Sequence, residues 1–174
     1  VLRLTTENFP VAASSIEAIT LVASNLPDWL AAQQANALLQ HLQAVDYQAI
    51  PFHQLTPLVT ERLFALYGYF ASAWVHGFSK PQLPLVIAQP FVTLAAQLQR
   101  PSVLAYAGQV LGNWALRHHE QDFTPQNILL LQTFTHLVDE SWFFRVHIAI
   151  EAQAGKMLHA LSYVNTAIDN ADDM

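Results

Sequence analysis

The chain has 174 residues, enough for one sizeable core or two small packed units; 53% of them are hydrophobic and only 11% charged. A formal net charge of −6, with no Lys/Arg cluster to neutralise phosphates, argues against nucleic acid as a partner. There is no cysteine, which excludes disulfide scaffolds, zinc–thiolate sites and thiol nucleophiles.

Helix signals recur along the chain and strand signals are weak, so the expected fold is all-α. The opening "VLRLTTENFP" has no basic-then-apolar signal pattern, which makes the cytoplasm the expected compartment. "SSIEAITLVASNLPDWLAAQQANALLQHLQ" reads as two helices, Pro27 opening the second, where its missing N–H would have had no intrahelical partner. "AVDYQAIPFHQL" is a connector, and "TPLVTERLFALYGYFASAWVHGF" a long helix that Gly68 and Ala71 allow to pack closely. After the loop "SKPQLP", Pro84 opens a short helix that Pro90 should interrupt, with "FVTLAAQLQ" resuming it. "RPSVLAYAGQVLGNWALRHHE" and "TPQNILLLQTFTHL" repeat the proline-then-helix device, with Thr124 as cap of the latter. The last helix begins near Asp139 or Ser141 and runs towards Asn170; the polar "HLVDES" before it is the expected domain boundary. The absence of an initiator Met and the stop at "NTAIDNADDM", inside a helical pattern, suggest a truncated or cleaved product.

Charge is distributed unevenly. Between Leu63 and Leu116 the only formal charges are Lys80 and Arg100, yet Pro, Gln and His break each apolar run before the roughly 20 residues of a membrane span. A helical unit so poor in charge is expected to meet a large partner surface, another domain or a big ligand.

Two stretches could carry chemistry. In "DESWFFRVHIAIEAQAG", steps of three and four from Phe143 join Val146, His147, Ile150, Ala154, Met157 and Leu161 in one stripe. Such a stripe is either a core helix with a hydrogen-bonded histidine or the wall of an apolar ligand pocket with few polar groups. Glu151, one turn past His147, could pair with it, while Arg145 falls off the stripe and is expected exposed or ion-paired. In "SVLAYAGQVLGNWAL", Tyr106, Gln109, Val110 and Asn113 share a face at helical spacing, and Gly108 and Gly112 allow close approach of a helix or a flat ligand. Of the eight histidines, none belongs to an HExxH pair or a convincing diiron pattern, and His118 and His119 are expected on a solvated loop.

The segments "ENFP", "ASNLPDWL", "ASAWVHG", "LPLVIAQPF", "RPSVLAYAGQVLGNW" and "SWFFRVHIAIEA" occur in an order and spacing that resembles the indoleamine 2,3-dioxygenase family, across nearly the whole chain. The most specific pieces run from Tyr106 to Trp114 and from Phe143 to Glu151. The resemblance implies an all-α protein that binds haem b and inserts O₂ across the indole 2,3-bond of L-tryptophan or a related indoleamine, giving an N-formylkynurenine-type product. It implies a small N-terminal capping domain, residues 1–137, and the start of a larger helical haem domain, residues 138–174. Tyr106, Gln109 and Val110 would then line the indole pocket, Phe143 would stack near the substrate ring, and His147 would stand nearest O₂ and the indole N–H, these two facing the distal side of the haem. His147 departs from the small hydroxyl residue of the mammalian enzymes and resembles the distal histidine of tryptophan 2,3-dioxygenases; Gln109 replaces a smaller residue. None of the eight histidines matches the proximal iron ligand, which is expected beyond Met174, with the substrate-carboxylate contacts, in the rest of the same fold, carried by the same gene product or by a separate chain. The other readings are a haem protein of secondary metabolism with different oxidative chemistry, and a non-catalytic helical binding module.

Overall fold

The computed structural model describes residues 10–172, and side chains from 14 to 164. Residues 7–9 of "ENFP" and residues 173–174 lie outside the described residues. The architecture is helical: α1 (Pro10–Ser24), α2 (Leu26–Ala31), α3 (Ala35–Gln43), α4 (Pro57–Ser72), α5 (Leu85–Leu98) and α6 (Val138–Asp172). A small antiparallel hairpin, β1 (Trp114–Leu116) and β2 (Ile128–Leu130), is inserted before α6.

Pro27 sits in the first turn of α2 as its missing N–H allows, but the expected second helix is two. Gln33 adopts φ 55° and breaks the chain between α2 and α3. Helix α4 starts as the sequence suggests: Pro57 is in the first turn and the Thr56 hydroxyl accepts from Val59 N at 3.4 Å. From Leu63 to Ala71 every residue of α4 is buried, so this helix is encircled rather than amphipathic. The charge-poor sequence read as a partner surface is therefore, along α4, the centre of this chain's own core. Aromatic packing such as Phe64 on Phe91, 5.1 Å between centroids, joins it to α5.

Pro90 does not interrupt α5. It is buried inside the continuous helix, and the lost hydrogen bond is outweighed by packing on α4.

Two expected helices are absent. Between Arg100 and Trp114 there is only a π-type turn, Ala107–Leu111, and "TPQNILLLQTFTHL" forms a 3₁₀ turn, Pro125–Asn127, followed by β2. The Thr124 side chain makes no cap bond. Asn127 is the cause: its Oδ1 accepts from His118 N at 2.9 Å, and its Nδ2 donates to the carbonyls of His118 (2.9 Å) and Asp122 (3.1 Å). Those bonds close the hairpin loop and compete with a helix.

The large core spans α1 to α5; a second, small cluster of Val110, Ile128, Phe144 and Ile148 holds α6 against the hairpin. None of the helices among the described residues is long and apolar enough to cross a membrane.

Candidate functional site

Helix α6 meets the core through Phe144 and Ile148, one turn apart and both buried. Of the stripe that starts at Phe143, Phe143, Ile150, Met157 and Leu161 are exposed and Val146, His147 and Ala154 are half-buried, so it is not a core face. Phe143 is 54% exposed, and from Gly155 to Val164 every residue is exposed. What α6 offers is an open apolar face with one imidazole set in it.

That imidazole is tied back to its own helix. His147 Nδ1 lies 2.8 Å from the carbonyl oxygen of Phe143. A carbonyl only accepts, so Nδ1 carries the hydrogen, and in the neutral ring Nε2 is left as an acceptor. The rings of Phe143 and His147 lie 4.0 Å apart at 42°, which restrains the imidazole further. Glu151 does not form the pair with His147 that the sequence suggested. Its Oε1 accepts instead from the Tyr106 hydroxyl at 3.3 Å, and Tyr106 presents an edge to His147 at 6.3 Å. The Tyr106 hydroxyl is raised above its ordinary pKa, first by lost solvation and then by the Glu151 carboxylate beside it.

The structure thus brings Tyr106, Phe143 and His147 together, two from α6 and one from the loop before the π turn. Val110, in that turn, is 2% exposed against Ile128, Phe144 and Ile148, so it backs the wall from behind. Gln109 is half-buried, and its carbonyl accepts from Tyr69 (3.2 Å) and Asn113 (3.0 Å). Asn113, expected on the same face as Tyr106, is turned into the core by the π turn. Sequence reading missed Tyr69 and Gln132, its partners there, because nothing local marks a polar group inside an apolar run.

Arg145 is half-buried and has no ion pair among the described residues: its Nε is buried with no hydrogen-bond partner among them, and burial, then the neighbouring Arg117, lowers its pKa. His118 and His119 are exposed, as expected. No group of three or more metal-ligating side chains occurs among the described residues. A separate apolar cavity of about 770 Å³ lies between α2, the end of α4 and residues 134–137, lined by Leu30, Ala73, His76, Phe134 and Leu137. None of the five predicted site residues lines it.

The scaffold is helical, and one face of α6 is open and apolar with His147 set in it. The chain matches the profile of the indoleamine 2,3-dioxygenase family over residues 13–174 and belongs to that family. Among its relatives, mouse indoleamine 2,3-dioxygenase 1 is 29% identical over 87% of this chain and 37% of its own length. The Saccharomyces cerevisiae indoleamine 2,3-dioxygenase is 30% identical over 64% of this chain and 26% of its own. The 6-hydroxytryptophan 2,3-dioxygenase of Fusarium equiseti is 27% identical over 71% and 32%. The chain spans about a third of the length of these relatives.

Proposed function

We propose that this chain supplies the distal wall of a haem-dependent dioxygenase that opens the indole 2,3-bond of L-tryptophan or a related indoleamine. The observation that carries the reading is the tautomer of His147, whose Nε2 is an acceptor set in an apolar face. An indole N–H is a donor on a flat apolar ring, and this is the complementary partner for it. Phe143 stacks on the substrate ring, Tyr106 and Gln109 border it, and Val110 supports that border. The residues fit a haem as well: the exposed side chains of Phe143 and Ile150 offer apolar contact to a macrocycle face, with His147 between them in sequence. Haem b, when bound, supplies the iron at which O₂ is activated. The chain's own contribution is to hold the indole N–H at His147 Nε2, orienting C2 and C3, and to exclude water with apolar walls.

In this reading residues 1–137 are the capping unit and residues 138–174 open the haem domain. The proximal histidine and the groups that hold the substrate carboxylate come from polypeptide outside these 174 residues. A relative named for 6-hydroxytryptophan supports a second reading, in which a ring-modified indole is the substrate, with Gln109 beside it.

The test is formation of an N-formylkynurenine-type product by the intact, haem-loaded polypeptide from L-tryptophan and from 6-hydroxytryptophan. His147→Ala should lower kcat/KM for L-tryptophan about 10- to 100-fold, as expected for loss of one buried hydrogen bond of about 1–3 kcal/mol. A substrate methylated at the indole nitrogen lacks the donor, so the same substitution should change its turnover less than about threefold. An equal loss with both substrates refutes the role of His147, and no product from any indole refutes the dioxygenase reading.

A further inference from the structure

The wall that carries Gln109 and Val110 and the helix that carries Phe143 and His147 belong to separate elements. Something must fix one against the other. Val110 meets Phe144 and Ile148 directly, and three polar side chains inside the apolar core tie the Gln109 backbone to the segment that leads into α6: Tyr69 at 0% exposure, Asn113 at 1% and Gln132 at 6%. Asn113 Nδ2 is 2.9 Å from Tyr69 Oη, 3.0 Å from the Gln109 carbonyl and 2.7 Å from the Gln132 carbonyl. The Tyr69 hydroxyl stands 3.2 Å from the same Gln109 carbonyl and 3.3 Å from that of Gln132, and shares its one hydrogen between the two. Gln132 Nε2 continues the line to Ala23 O in α1 at 2.8 Å.

The segment after Gln132 leads directly into α6. Arg62 Nη2 donates to Leu131 O at 2.9 Å, and Leu131 N donates to Asn113 O at 3.0 Å. Two turns before His147, the Glu140 carboxylate accepts from Phe134 N at 2.8 Å and Thr135 N at 2.7 Å. Residues 131–135 thus form a strap whose backbone is held by side chains of α4 and α6 and by the segment after the π turn. Apolar residues of equal volume could fill this space, but the carbonyls of Gln109 and Gln132 would lose their donors. Hydrogen bonds are directional, so the two carbonyls are fixed relative to each other as well as buried.

We propose that Tyr69 and Asn113 are positioning residues that set the distance between the two distal walls, and so the affinity for the indole ring. The inference rests on the function proposed above. Its test uses Tyr69→Phe, which keeps volume and removes only the hydroxyl, with Asn113→Leu as the stronger variant, in the intact haem-loaded polypeptide. Tyr69→Phe should raise KM for L-tryptophan about fivefold with kcat within about twofold of the unsubstituted protein. In the same samples, amide hydrogen exchange at Gly112, Leu131 and Thr135 should accelerate about tenfold, while amides of α4 from Leu66 to Phe70 follow global stability. Uniform acceleration with KM unchanged would overturn the proposal and leave these residues as core. Lack of turnover by the unsubstituted protein would count against the dioxygenase reading alone. The exchange pattern needs no turnover, and loosening confined to the turn and the strap would still support the network.

Discussion

Gly68 gives the sharpest test of how the segment before the π turn is held. It lies inside α4, where alanine would ordinarily stabilise the helix by about 1 kcal/mol. A Cβ at this position would stand 2.9 Å from Leu104 Cδ1, 3.1 Å from Leu104 Cβ and 3.3 Å from Leu104 Cα. The Cδ1 atom can swing away. The Cβ and Cα atoms move only if the backbone of Leu104 moves, and Leu104 is two residues before Tyr106. Overpacking of this kind costs about 1–3 kcal/mol, so Gly68→Ala should destabilise the protein by about 1 kcal/mol after the propensity gain. Gly108 is the control, since a Cβ there meets Ala65 Cβ at 3.8 Å and Leu104 Cδ1 at 3.9 Å, ordinary contact distances. Gly108→Ala should change stability by less than about 0.5 kcal/mol. Urea denaturation followed by far-ultraviolet circular dichroism measures both. Stabilisation of Gly68→Ala by about 1 kcal/mol would refute the reasoning, because it would mean that the Leu104 segment yields freely.

Two further predictions concern the cores. Phe144→Ala should cost about 3 kcal/mol in the same assay, because Phe144 fills the small cluster that holds α6, while Phe143→Ala on the open face should cost less than about 0.5 kcal/mol; equal effects would reverse the assignment of the two faces. Stability should also fall with alkali, compared at about pH 9 and about pH 11. Burial pushes the Tyr47 hydroxyl up to about 12 and raises Tyr67 and Tyr69 as well, so the fold keeps protons that the unfolded chain releases near pH 10. Their contribution is complete below that pH and is lost as pH rises through the folded values. Arg62, lowered to about 10 by burial, acts in the opposite sense, one group against three. A denaturation midpoint that is flat or rises over this range would refute the balance.

The parts of the fold legible in the sequence were those whose cause is local. Thr56 and Pro57 mark the start of α4 by their own chemistry, and Pro27 marks α2 in the same way. The hairpin has no such mark. "ILL" is too short an apolar run to separate strand from helix, and Asn127 specifies the turn only through His118 and Asp122, neighbours in space that no periodicity displays. Pro90 misled for the converse reason: the propensity rule is local, and packing against α4 overrode it.

The candidate site divides along the same line. A step of four residues was enough to put Phe143 and His147 together, and the helix supplies the carbonyl that fixes the histidine's tautomer. The stripe they share was readable; its direction was not, because direction depends on where Phe144 and Ile148 find a core. The partner of Glu151 was equally out of reach, since Tyr106 comes from a segment whose helical periodicity does not form. The same break at the π turn rotates Asn113 away from Tyr106 and onto Tyr69 and Gln132. A residue that spacing placed on one face with Tyr106 thereby becomes a donor to the buried Gln109 and Gln132 carbonyls. The irregular backbone between Arg100 and Trp114 is thus what lets one short segment both bring Tyr106 to His147 and anchor Asn113 in the core.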